Sequence, residues 1–276
     1  MRHLILSLSA ALSLMATPAL ADPSAAELAA AREAETRGAE IYAYDQAAWH
    51  STDQLQADLK ARGLTLEQIS AQGMAGYIVE PAGDGVLLAT YYGAKDGKTF
   101  AMARYWVRGS KVERGGMLAP GDDAALSPLA RKLIETRSKA MEAARAENIF
   151  LCSRGAPNTV VLAPRADGSI PAYVMSSSVE HGQFPAGGHY RYVFGADGKL
   201  ASSRAFTKSC VSVAYGDPSD KSKTAVGAGV SHLMDPQPTE IHVFVSYNVP
   251  IPLFVIISSN GSMWEVNRGK VSSPKR

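Results

Sequence analysis

The apolar pattern changes character three times along the chain, from helical to alternating, back to helical, and to alternating again. Residues 24–39, SAAELAAAREAETRGA, are good helix formers punctuated by Gly38, and their apolar content is mostly alanine. A helical or flexible segment that buries little is therefore expected over 22–39. From Asp53 to Gly63, Leu55 and Leu59 stand four apart between a capping aspartate and a closing glycine, which predicts a short amphipathic helix. Thr65 and Gln68 are at capping-box spacing ahead of Gly73, so a second short helix follows.

From Gly76 the runs GYIVEP, GVLLATYYG and TFAMARYWVRG, separated by AGDG and AKDGK, predict a meander of three or four antiparallel strands ending near Leu118. Ser127 and Pro128 then supply an N-cap and a first-turn proline. Leu129, Leu133, Ala140 and Ala144 form one stripe as far as about Asn148, and this is the longest helix expected. Beyond Cys152 the pattern reads as strands: TVVLAP, PAYVMSSS, HYRYVF, LASSRAFT, EIHVFVSYN, PLFVIISS and MWEVNRGKV, with residues 215–229 as a surface loop. The fold class is α+β, with antiparallel sheets packed around one long helix and short helices at the N-terminal end. Residues 40–272 read as a single domain, any lobe boundary falling near 120–150, with 273–276 as a tail.

The N-terminal end changes the picture. Residues 1–21 carry Arg2 and His3, a short apolar run, and Ala19 and Ala21 at the positions a signal peptidase requires. Cleavage before Asp22 is expected, with no transmembrane anchor afterwards and a periplasmic or secreted destination. Removing Arg2 leaves 27 basic against 26 acidic side chains, a balance with no footprint for nucleic acid. Cys152 and Cys210 are the only cysteines, and an even count in an exported chain predicts a disulfide between them.

Candidate chemistry gathers in two stretches. In HYRYVF, Tyr190, Tyr192 and Phe194 share one face, and His189, Arg191 and Val193 the other. A three-residue turn with Gly198 in the left-handed position would set Arg191 opposite Ser203, whereas a two-residue turn would set it against the like charge of Arg204. His189 and Arg191 would then point together toward solvent or an anionic ligand. In SHLMDPQPTEIHVF, a strand would put Glu240 and His242 on one face, near His232 and Asp235. These are residue types a metal would choose, but no recognised ligand spacing occurs, so neither metal nor cofactor is expected. There is no G-x-S-x-G elbow, and the S-x-x-K of Ser272 to Lys275 has no companion motifs. Asp45, His50 and Asp53 around Trp49 read as a helix start with a packed tryptophan.

The ordered set PAYV, PAGGHYR, SRAFTKSC, PTEIHVFVS, PLFV and MWEV resembles a family of uncharacterised exported proteobacterial proteins. The resemblance implies export and one fold across the C-terminal part of the chain, and it brings no functional residue with it. Two classes of function stand side by side. One is a non-catalytic envelope module that binds a partner protein or a small ligand through His189, Arg191, Glu240 or His242. The other is a periplasmic hydrolase or metal-dependent enzyme assembled from His189, His232, Glu240 and His242, since catalytic groups are recognised by geometry rather than spacing. Whether the chain is an enzyme is left open by the sequence.

Overall fold

The computed structural model describes residues 22–216 and 225–273. The leader read in residues 1–21, the last three residues of the tail with Lys275, and the middle of the 215–229 loop lie outside the described residues.

One helix, α1 (Ala25–Ala61), replaces the separate N-terminal pieces expected from the sequence and is the longest in the chain at 37 residues. Ser24 opens it with a capping box: its hydroxyl accepts from the Glu27 N–H at 3.2 Å, and its own N–H donates to the Glu27 carboxylate at 2.6 Å. Gly38 does not end the helix. A Cβ at that position would lie 2.4 Å from Cβ of Val243, so the glycine marks a close approach of another helix rather than a stop. A short helix, α2 (Leu66–Ala71), follows with the expected Thr65 and Gln68 box.

Strands β1 (Met74–Pro81), β2 (Leu87–Lys95), β3 (Lys98–Arg108) and β4 (Lys111–Met117) form the antiparallel meander in sequence order. Helix α3 (Pro128–Ala146) starts where Ser127 and Pro128 place it, with the Ser127 hydroxyl accepting from the Ala130 N–H at 2.8 Å. A second antiparallel sheet contains β5 (Asn158–Val161), β6 (Ile170–Met175), β8 (Tyr190–Phe194) and β9 (Leu200–Ala205) in the order β5-β6-β8-β9, while β7 (Gln183–Pro185) pairs with β10 (Ser212–Ala214). Strands β11 (Ala228–His232), β12 (Leu253–Ile257), β13 (Met263–Asn267) and β14 (Lys270–Ser272) make the last sheet. Its β11 and β12 run parallel, joined through α4 (Glu240–Asn248). The helix corrects the expectation of a strand over EIHVFVSYN, and β11 with β12 is the one parallel pair among the otherwise antiparallel sheets of the described residues.

Period-2 alternation, reset on β3 by a bulge between Ala101 and Ala103, divides the meander between two cores. Val79, Ala89, Tyr91, Ala103 and Tyr105 point into the core that holds α1 and α4, while Ile78, Tyr92 and Ala101 point into the core of α3. The second sheet is divided in the same way. Tyr190, Tyr192 and Phe194 pack with α3, and Tyr173 and Met175 with α4 and α1. The fold is α+β, with helices covering both faces of the sheets.

The β8–β9 hairpin corrects the expected register. Its turn is the three-residue one, closed by Gly195 N–H to the Lys199 carbonyl with Gly198 at φ 72°. A bulge between Val193 and Phe194 then shifts the pairing by one residue, so Arg191 faces Arg204 after all. Each guanidinium meets an acid from outside the hairpin, which removes the like-charge penalty that argued against this register.

Candidate functional site

The residues singled out in the sequence do gather, on the face of β8 and β9 turned toward α4. Arg191 Nη1 lies 2.5 Å from Glu240 Oε1, the first residue of α4, and Tyr173 donates to the same oxygen at 3.3 Å. Arg204 Nη2 lies 2.7 Å from Asp235 Oδ2, which also receives His232 Nε2 at 2.9 Å. Both guanidinium groups stand over the Phe206 ring, Arg204 at 4.5 Å and Arg191 at 5.9 Å from its centroid. The rings of His232 and His242 meet edge to face at 4.7 Å.

Every member is tied to its neighbours. His242 Nδ1 accepts from the Thr239 N–H at 3.0 Å, as the third residue of α4 in a cap where glutamate or glutamine is usual. Glu240 and His242 therefore do not bond to each other, as the strand reading allowed. His189 is fully buried rather than open to solvent, and its Nε2 donates to the Pro185 carbonyl at 3.0 Å. Its Nδ1 has no partner among the described residues. Burial lowers the His189 pKa to about 4, against the opposing effect of the Pro185 bond. Burial, followed by the charge of His232, lowers that of His242 to about 3. Burial works to raise the Asp235 carboxyl, but the bonds from His232 and Arg204 outweigh it and hold it well below the usual carboxylate range. The arrangement is a latch of buried polar groups that fastens β8 and β9 to α4 and to the loop after β11. Among the described residues no cluster of three or more histidine, cysteine or acidic side chains is arranged to hold a metal ion.

The open space lies elsewhere. A cavity of about 480 Å³ sits where α1, the start of β5, the turn after β6 and α4 approach one another. Helix α1 contributes Asp45 and, one turn later, Trp49. Phe184 and Phe244 meet edge to face at 5.8 Å and line it with Tyr215. Asn158, Ser176 to Ser178 and Asn248 complete the wall. Trp49 is 58% exposed and stacks on His50, so it is neither packed nor at a helix start, as the sequence suggested. Asp45 accepts from Asn158 Nδ2 at 2.6 Å and from Gln46 Nε2 at 3.4 Å. Burial raises its carboxyl above the usual range, and these two bonds only partly offset the effect.

Cys152 and Cys210 are joined in a disulfide, with Cα atoms 5.2 Å apart. The bridge backs the cavity wall, since the Cys152 N–H donates to Ser176 Oγ at 2.8 Å. Sequence reasoning found Asp45 and Trp49 as neighbours but missed Asn158, Phe184, Tyr215 and Asn248. Their convergence is purely tertiary, and no local spacing could show it. Among the described residues no helix is long and apolar enough to cross a membrane. Comparison of the chain with protein-family models, with curated proteins and with solved structures gave no match.

Proposed function

We propose that this chain is an exported, non-catalytic binding module whose small ligand occupies the cavity beside α1. The cavity carries the reading: about 480 Å³ falls within the roughly 300–1,000 Å³ typical of small-molecule sites, and its wall combines aromatic rings with a few polar groups. The buried latch supports it from the other side. His189, His232 and His242 each spend a ring nitrogen on a structural hydrogen bond, and neither they nor Glu240 lines the cavity, so the bases named for the hydrolase reading do not stand beside it. Export rests on the leader pattern of residues 1–21 and on the disulfide, and a mature chain beginning at Asp22 is its expected mass-spectrometric signature.

The test is a thermal-shift screen of small polar metabolites against the mature protein. A ligand at about 100 times its Kd stabilises a fold by about 2.7 kcal/mol, which corresponds to roughly 5–10 °C for a chain of this size. The shift should vanish in Ser178→Trp, which sets a bulky ring on an exposed part of the cavity wall. A screen without a hit, or a hit that survives Ser178→Trp, overturns the reading.

A further inference from the structure

We infer that the ligand of this cavity is a compact organic cation, a primary or quaternary ammonium held against Asp45 and the surrounding aromatic rings; the inference rests on the binding reading above. The first argument is charge. Among the described residues Asp45 is the one formally charged side chain on the cavity wall. Its two hydrogen-bond donors are the neutral amides of Asn158 and Gln46, and among the described residues no lysine, arginine or histidine forms an ion pair with it. A carboxylate that accepts two bonds from roughly four acceptor positions keeps capacity for a further donor. An anionic ligand would meet it with repulsion and find no compensating cation among the described residues of the wall.

The second argument separates a cation from a neutral polyol. A sugar needs several free donors and acceptors, and most of those on this wall face inward. Asn158 gives its amide to Asp45 and receives the Tyr77 hydroxyl at 3.3 Å. Asn248 donates to the Phe244 carbonyl at 2.9 Å. Ser176 accepts from Cys152 and lies 3.0 Å from the carbonyls of Gly187 and Gly188, while Ser177 lies 3.2 Å from the Ser153 hydroxyl. What stays open is a carboxylate among aromatic rings, with the hydroxyls of Ser178 and Tyr215 beside it. Trp49, on the same face of α1 and one turn beyond Asp45, stacks on His50 but keeps more than half of its surface exposed at the rim, where a cation over a ring gains its electrostatic attraction. The raised carboxyl of Asp45 agrees with this, because a bound positive charge would favour its ionised form against the effect of burial.

Calorimetry and tryptophan fluorescence on the mature, oxidised protein test the inference, with choline and putrescine as cation probes and glucose as the neutral one. Saturable binding of a cation is expected, with Asp45→Asn weakening it by about tenfold or more while the far-ultraviolet spectrum and melting temperature stay close to wild type. Should Asp45→Asn fold poorly, Trp49→Leu gives the independent readout, with an expected loss of at least about threefold. Binding of glucose, or of a neutral hit from the thermal screen, with no binding of either cation leaves the cavity reading standing and overturns the cation. Cation binding that is unchanged in both variants overturns it as well. Failure of every probe and of the whole screen removes the cavity reading itself.

Discussion

Two histidines, His189 and His242, are held neutral by burial, and this makes the stability of the molecule depend on pH in a direction that can be worked out. In the fold their pKa values are about 4 and about 3, while in the unfolded chain both return to about 6.5. Between pH 6.5 and about 4 the unfolded chain takes up protons that the fold refuses, so stability is full above 6.5 and falls as the pH drops through that window. Asp235, held low by His232 and Arg204, would lose its contribution only under more acidic conditions, so the loss in this window belongs to the histidines. Urea denaturation at pH 7.5 and 4.5 should show a drop on the order of a few kcal/mol. His189→Leu should reduce the drop, because it removes one proton acceptor and the unpartnered Nδ1 with it. His189→Ala should instead cost about 2–4 kcal/mol at pH 7.5, where no proton penalty offsets the hole it opens in a fully buried site. An equal drop in wild type and His189→Leu, with His189→Ala harmless, would return this residue to the solvent face that strand alternation suggested.

At the scale of elements, what the sequence disclosed depended on whether each element has a wet side. Helix α3 was legible because Ser127 and Pro128 mark its start and its buried stripe alternates with exposed charges. Helix α4 was not, because Glu240 to Ser246 are all buried; with no polar face there is no 3.6-residue period to find, and its β-branched residues mimic a strand. Helix α1 was broken in the reading at Gly38 for a related reason. Propensity treats glycine as a stop, whereas here it admits the side chain of Val243 from α4. The register of β8 and β9 was missed because a bulge and two distant acids decided it, and neither can be read from the hairpin alone. The glycine gives a test in which two effects oppose each other. Gly38→Ala should gain about 1 kcal/mol in helix propensity, but its Cβ would lie 2.4 Å from Val243 and 2.7 Å from the Glu240 carbonyl oxygen. Overpacking of that kind costs about 1–3 kcal/mol, and the backbone oxygen cannot rotate away, so a net loss of stability is expected in thermal melts. Gly38→Ala paired with Val243→Ala, which removes the side-chain half of the clash, should recover part of the loss left after the cost of Val243→Ala alone. A stabilised Gly38→Ala would show that α1 and α4 do not pack this closely.

At the scale of the molecule, the disulfide joins the loop between α3 and β5 to the loop between β9 and β10, so it ties together the segments that precede and follow the second sheet. With its ends 58 positions apart in sequence, the bridge limits the unfolded chain enough to be worth roughly 4 kcal/mol in the chain-entropy account. The stability at stake is a large part of what a domain has, typically about 5–15 kcal/mol. Replacing both cysteines by serine should therefore lower the melting temperature by about 8–16 °C. The local effect reaches further than the entropy. Cys152 donates its N–H to Ser176, and Ser176 with Ser177 forms the cavity wall, so loosening residues near 152 should also weaken ligand binding in protein that is still folded. The two effects separate in one experiment: melt the double serine variant, then measure cation binding well below its melting temperature. A lower melt with weakened binding is the expected pair of results. A melt within a degree or two of wild type would show that the bridge adds little to the fold, and unchanged binding in the destabilised variant would show that the cavity wall is held by the sheet alone.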